Sequence, residues 1–309
     1  MVNGPPLPAG DRSFAADPGA VSLRPLPGTW RVATWNLWWR FGPDPDARFT
    51  RIETTLRHLD AEVICLQEVY RDRNGVNDAE RLATALGLYA LSTTSHSDAE
   101  QSLGNAILSK WPVGERGEQR LPDAGGGAGH RTALWAVIKA PFGALPVIST
   151  HLAYRFDESG VRQQQVRAVV ALAARLRPEG AGAPPVLLGG DLNAVPDSDE
   201  IRLITGRSAV AVPGFVFNDC WPQVRDDPGH TWVRRNPHLA DSVWPERRLD
   251  YIMVSWPRPA PLGNPVQAFL IGDGPVDDMW PSDHVGVGVD LRGPGQPDPG
   301  LSGDSSPGR

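Results

Sequence analysis

Strand-like and helix-like runs alternate along nearly the whole chain, and that mixture limits the fold more than any other feature. Arg31-Val32-Ala33-Thr34-Trp35 alternates as a strand does, while Phe49, Ile52, Leu56 and Leu59 fall at helical spacing. Residues 61–66 read as a short buried strand and 79–88 as a short helix. Strands follow at about 105–109, 132–139 and 146–151, punctuated by Gly and Pro. Residues 161–176 give the clearest helix, with Val161, Val166, Val169, Ala173 and Leu176 along one side. A strand at 185–188, a short helix at 197–206 and strands at 249–255 and 285–291 complete the pattern. No repeat or interior linker interrupts it, so one α/β domain over 29–292 is the economical expectation. The flanks, 1–28 and 293–309, are rich in Pro, Gly, Ala and Ser without periodicity and read as disordered tails.

Several of the strand-like runs meet polar residues that do not belong in a core. One ends at Asn36, one at Gln67-Glu68, one at Thr150-His151 and one at Gly190-Asp191-Leu192-Asn193. A late strand opens on Asp250, and the last is preceded by Ser282-Asp283-His284. Catalytic groups in α/β enzymes gather at strand ends, where the scaffold is rigid and the loops leave room for substrate. Carboxylate and amide oxygens without a cysteine cluster suit a hard cation, Mg²⁺ or Mn²⁺, rather than structural zinc. Phosphoester hydrolysis needs such a cation, a group to orient or deprotonate water, and donors for developing negative charge. The inventory fits those tasks.

Taken singly, each residue also has a plain structural reading. Glu68 after an apolar strand reads equally as a charge at a helix N-terminus, and Asp191 as the head of an Asx turn. His151 reads as a satisfied polar residue, Asp250 as a surface partner of Arg247 or Arg248, and Asp283-His284 as a turn.

The order of these segments resembles the endonuclease/exonuclease/phosphatase superfamily. Its members include pancreatic-type deoxyribonuclease, abasic-site endonucleases, neutral sphingomyelinases, inositol polyphosphate phosphatases and deadenylases. The resemblance is carried by Thr34-Trp35-Asn36-Leu37, Leu66-Gln67-Glu68-Val69, Ser149-Thr150-His151-Leu152 and Gly190-Asp191-Leu192-Asn193. It continues through Arg248-Leu249-Asp250-Tyr251-Ile252 and Ser282-Asp283-His284. It implies a four-layer α/β/β/α sandwich of two packed mixed sheets, with the site at one edge of both. It also implies that Glu68 is the principal metal ligand, with Asn36 and Asp283 close to the metal. Asp191 would orient or deprotonate the attacking water, and Asn193 would bond the phosphate. Asp250 would hold the imidazole N–H of His284, which would then donate to the phosphoryl oxygen or act as base. His151 matches a histidine set against the phosphate in several branches, whereas abasic endonucleases carry Tyr there. Arg131, after the Gly-rich loop Gly125–Gly129, matches an arginine that reaches substrate; a surface arginine beside a loop is the plain alternative.

The family pattern leaves the substrate open: a nucleic acid, a lipid head group or a small phosphoester, cleaved as a diester or a monoester. A net charge of −6 argues weakly against a protein that coats nucleic-acid backbone. Trp38, Trp39, Trp221, Trp232, Trp244 and Trp280 lie near the motifs, and segment 231–238, with Trp232 and Asn236, is expected to contact substrate. Arg247 and Arg248 add positive charge beside Asp250. No run approaches the roughly 18 apolar residues that a membrane span needs, and no secretory leader is visible. Two cysteines, Cys65 and Cys220, make neither a disulfide framework nor a zinc site. The expectation is a cytoplasmic hydrolase without stable membrane insertion, monomeric unless shown otherwise. A non-catalytic descendant that binds phosphorylated ligands is the alternative, and intact motifs disfavour it.

Overall fold

The computed structural model describes residues 28–93, 101–123, 130–180, 182–258 and 261–294. Nearly all of both expected tails, and the Gly-rich loop before Arg131, lie outside the described residues. The first sheet is built from β1 (Thr29–Asn36), β2 (Val63–Asp72), β3 (Tyr89–Ser92), β4 (Gln101–Ser109), β11 (Pro265–Ile271) and β12 (Gly286–Arg292). The second takes β5 (Val113–Arg120), β6 (Thr132–Ala140), β7 (Gly143–His151), β8 (Leu187–Asp191), β9 (Val216–Asp219) and β10 (Asp250–Trp256). Their strand orders are β11-β12-β1-β2-β4-β3 and β5-β6-β7-β8-β10-β9, each mixing parallel and antiparallel pairs.

Alternation sorts the side chains into layers. Even-numbered residues of β1 such as Val32 face the second sheet, together with Cys65, Leu134, Val147, Leu187 and Ile252. Odd-numbered residues such as Ala33 and Trp35 face α1 (Pro45–Leu59) and α2 (Asp78–Leu86) through Phe49, Ile52, Leu56 and Leu82. On the far side Ile148, Leu188 and Met253 pack under α3 (Ser159–Leu176) and α4 (Asp199–Ile204). The result is the α/β/β/α sandwich that the resemblance implied. A Cβ on Gly189 would lie 2.7 Å from the Cβ of Cys65, so glycine there lets the two sheets close on each other. Among the described residues no helix is long and apolar enough to cross a membrane.

The strand limits shift in one informative place. The run expected to stop at Leu66 continues to Asp72, so Glu68 lies inside β2 and not at its end. The pairing of β2 with β4 slips between Leu66 and Val69, and Glu68 adopts a left-handed φ of 52°.

Away from the site, β1 and β12 bury an ion pair. Arg31 donates to Asp290 through Nε (2.7 Å) and Nη2 (2.9 Å), and through Nη1 to the carbonyl of Leu59 (3.1 Å). Both side chains are fully buried. Asp290→Ala is expected to cost about 3 kcal/mol, because it strands a guanidinium in the core. The check is a shift of the urea midpoint at unchanged slope.

Candidate active site

Three adjacent strands of the second sheet present three polar side chains in one row. β7 and β8 place His151 opposite Asp191, and β8 and β10 place Asp191 opposite Asp250. Such cross-strand neighbours point to the same face. His284 arrives from the loop before β12, with Nδ1 2.8 Å from Asp250 Oδ2 and Nε2 3.7 Å from Asp191 Oδ2. Its main chain is held from both sides: Trp35 Nε1 donates to the His284 carbonyl (2.9 Å), and the His284 N–H donates to Ser282 Oγ (3.2 Å). His151 Nε2 lies 3.4 Å from the same Asp191 oxygen.

The first sheet adds Asn36 and Glu68. Asn36 Nδ2 donates to Asp191 Oδ2 (3.1 Å) and Glu68 Oε1 (3.3 Å), which ties the two sheets together at this rim. Regular alternation would send Glu68 toward α1 with Leu66. The bulge and left-handed φ turn it back to the side of Asn36, at a strain of about 1 kcal/mol. Two residues past Asp191, the loop after β8 also takes a left-handed turn: Asn193 has φ 49°, its N–H donates to Asp191 Oδ1 (2.9 Å) and its Nδ2 to the Leu152 carbonyl (3.2 Å).

Burial works against the charged form of His284, but Asp250 and Asp191 outweigh it and hold the imidazole well above the ordinary histidine value. Burial raises Asp250 even so. Asp191 is buried too, yet the imidazoles and the Asn193 and Asn36 donors bring it below the usual carboxylate value. Burial, with the Arg131 charge, pushes His151 down to about 3, so that ring is neutral at physiological pH. The cationic imidazole beside Asp191 is therefore His284. Burial raises Glu68, and burial with the charges of Glu68, Asp191 and Asp250 lifts Asp283 to about 7.

The donor set fits a divalent cation. Four carboxylates (Glu68, Asp191, Asp250 and Asp283) crowd one rim, and burial with the neighbouring carboxylate charges raises the proton affinity of Glu68 and Asp283. Asp191, Asp250 and His284 offer ligand atoms within 4.8 Å of one another. In that trio, however, the imidazole is held cationic, and a metal on its Nε2 would have to displace that proton. Glu68 and Asp283, hard oxygen ligands of which Glu68 raises the proton affinity of Asp283, could better hold the cation. Asn36 accepts the Trp38 N–H at Oδ1 (2.9 Å) and donates through Nδ2 to Asp191 and Glu68, so it orients the carboxylates around it.

The other sequence expectations divide. Trp232 stands against His284, edge to face at 5.2 Å. Arg131 is within electrostatic reach of Asp191 and Glu68 and lies 5.7 Å from the Tyr154 ring. Asn236, expected to contact substrate, is fully buried and spends its amide on the carbonyls of Ser282 (2.8 Å) and Asp283 (3.1 Å) and on the His238 N–H. That corrects its role: it shapes the Asp283-His284 turn. Arg235 pairs with Asp273 at the surface, and Arg248 pairs with Asp219 (2.7 Å), not with Asp250.

Sequence reasoning missed Thr231, whose hydroxyl accepts the N–H groups of Leu249 (3.0 Å) and Asp250 (3.3 Å). It also missed Arg48, which is buried and donates to the carbonyls of Leu37, Trp39, Phe41, Pro43 and Pro281. Arg48 thereby fastens the loop after Asn36 to the loop before Asp283. Its signal was a charge one turn before Ile52, on the apolar stripe of α1. Arg48→Met should lower stability by about 3 kcal/mol, since five carbonyls lose their donor; a urea titration checks it.

The sequence profile of the Endonuclease/Exonuclease/phosphatase family matches residues 33–284. Among solved structures, the chain is similar to the endonuclease/exonuclease/phosphatase from Beutenbergia cavernae DSM 12333 (26% identity, TM-score 0.62, 87% of this chain and 72% of that one). A family protein from Bacteroides thetaiotaomicron aligns at 20% identity and TM-score 0.66, covering 87% of this chain and 96% of its own. TDP2 of D. rerio, complexed with single strand DNA product, aligns at 18% identity and TM-score 0.66, covering 85% and 99%. The last two show a shared fold alone. Comparison with curated proteins gives no match.

Proposed function

Because the chain belongs to the endonuclease/exonuclease/phosphatase family, we propose that it is a divalent-metal-dependent phosphodiesterase acting on nucleic acid. The observation that carries this reading is the His284–Asp250 pair set against Asp191, with Asn36 linking Asp191 to Glu68 across the two sheets. A bound Mg²⁺ or Mn²⁺, held by Glu68 and Asp283, would neutralise charge on the phosphoryl oxygens.

The roles of the side chains follow from their surroundings. Asp250 fixes a proton on His284 Nδ1, which turns Nε2 into the site as a cationic donor toward a phosphoryl oxygen. Asp191, held ionised, is the acceptor that orients water and takes its proton. Neutral His151 has one nitrogen beside Asp191, and its buried Nδ1 has no hydrogen-bond partner, so it is free to bond substrate or water. Asn193 has a second amide hydrogen for the phosphate, and Arg131 adds fixed positive charge beside Glu68 and Asp191.

Nucleic acid is favoured over lipid or inositol phosphate by the solved neighbour that carries DNA. The test is a panel at fixed salt containing single-stranded DNA, single-stranded RNA, plasmid, sphingomyelin and inositol phosphates, each with Mg²⁺. Cleavage of a nucleic acid well above the other substrates is expected. Preference for sphingomyelin or an inositol phosphate would overturn the substrate assignment.

A further inference from the structure

The loops bordering the site carry a cation–aromatic assembly that the hydrolytic roles leave unused. Phe156, in the loop after β7, stacks on Trp244, in the loop before β10, at 3.8 Å between centroids and 20° between planes. Both nevertheless remain exposed, at 51% and 43% of their surfaces. The Arg247 guanidinium lies over three rings, 4.9 Å from Phe156, 5.6 Å from Trp232 and 5.7 Å from Trp244. A two-way backbone bridge between Trp232 and Arg247 holds this arrangement, with N–H···O distances of 2.9 and 3.0 Å. Trp232 then meets His284 edge to face.

Two features separate this assembly from ordinary packing. Among the described residues Arg247 has no carboxylate at ion-pair distance, Asp191 acting on it only from farther off, and its Nε and the Trp232 Nε1 are buried without hydrogen-bond partners. The stacked pair also keeps about half of its surface in water. A guanidinium held against aromatic rings makes a surface both cationic and aromatic, and every nucleobase offers a π-face that can stack on exposed aromatic side chains. Short steps from Phe156 through Arg247 and Trp232 to His284 keep the platform near the scissile phosphate. An unpaired cation along that path suits an anionic backbone, not a hydrocarbon surface.

We propose that Phe156 and Trp244, backed by Arg247, form a stacking platform for a nucleobase of single-stranded nucleic acid next to the phosphate being cleaved. This rests on the phosphodiesterase reading of the adjoining site.

The test uses a short single-stranded DNA containing 2-aminopurine, titrated with the full-length protein in EDTA so that binding is read without turnover. Quenching of the probe by the wild type is expected. Phe156→Ala and Trp244→Ala should each abolish most of the quenching and weaken binding about 10- to 100-fold. Both residues are exposed, so the variants should fold, which circular dichroism verifies. Unchanged quenching in the double variant would overturn the platform. So would loss of binding to anionic phosphatidylglycerol vesicles in that variant with oligonucleotide binding intact, which would make the pair a membrane anchor. Bis-p-nitrophenyl phosphate turnover by the wild type with Mg²⁺ is measured in parallel. Quenching without turnover sinks the hydrolase reading and leaves the platform standing; turnover without quenching sinks only the platform.

Discussion

His284→Ala is expected to lower kcat for phosphodiester hydrolysis about 10³-fold while KM stays within a few-fold. The imidazole is buried, its Nδ1 is 2.8 Å from Asp250, and two carboxylates hold it protonated. In the proposed mechanism that arrangement sets a positive donor where negative charge grows on the phosphoryl group. Such a preorganised donor acts chiefly in the transition state, so its loss falls on kcat rather than on substrate binding. Asp250→Asn keeps the shape of the pair but removes the charge that orients the imidazole and holds its proton, and it should fail in the same direction. Steady-state kinetics on a chromogenic diester decide the matter. Wild-type kcat in His284→Ala would remove the residue from the mechanism.

Glu68→Ala should reduce kcat at least about 100-fold at a fixed Mg²⁺ concentration, and part of that loss should return as Mg²⁺ is raised. The fold commits to placing this carboxylate: β2 breaks register with β4 and takes a left-handed φ at Glu68, which brings it to Asn36. A residue that merely closed a strand would not need the detour. His284→Ala should show no such shift in Mg²⁺ dependence, because a cationic imidazole offers the metal no lone pair. A Mg²⁺ titration of both variants separates a ligand from a donor. Identical activation midpoints in Glu68→Ala and wild type would contradict the assignment of Glu68 to the metal.

The interior of the fold was legible because interior strands carry dense apolar runs. Residues 132–139, 146–151 and 285–291 were read close to where β6, β7 and β12 lie. The four strands that escaped notice, β3, β5, β9 and β11, are the four edges of the two sheets. An edge strand pairs on one side only, and β5 (VGERGEQR) and β9 (VFND) accordingly carry weak hydrophobic patterns. In the site, Asn36, Glu68, His151, Asp191, Asp250 and His284 stood out because polar groups interrupt apolar segments there. Their shared location was not readable, since it depends on sheet register: His151 opposite Asp191, and Asp191 opposite Asp250. Asn236 was misread because a polar residue in a loop looks the same whether it meets substrate or backbone. The Arg48 bond to Pro281 and the Phe156–Trp244 stack are tertiary, joining residues 233 and 88 positions apart.

We propose that this rim hydrolyses phosphodiesters with a divalent cation. The most direct measurement is the turnover of bis-p-nitrophenyl phosphate by the wild-type protein with Mg²⁺ or Mn²⁺, with EDTA, and with the cation restored after EDTA. Release of p-nitrophenol that requires the cation, stops with EDTA and returns on re-addition is the predicted result. Turnover that persists undiminished in EDTA, or none with either cation, would contradict it.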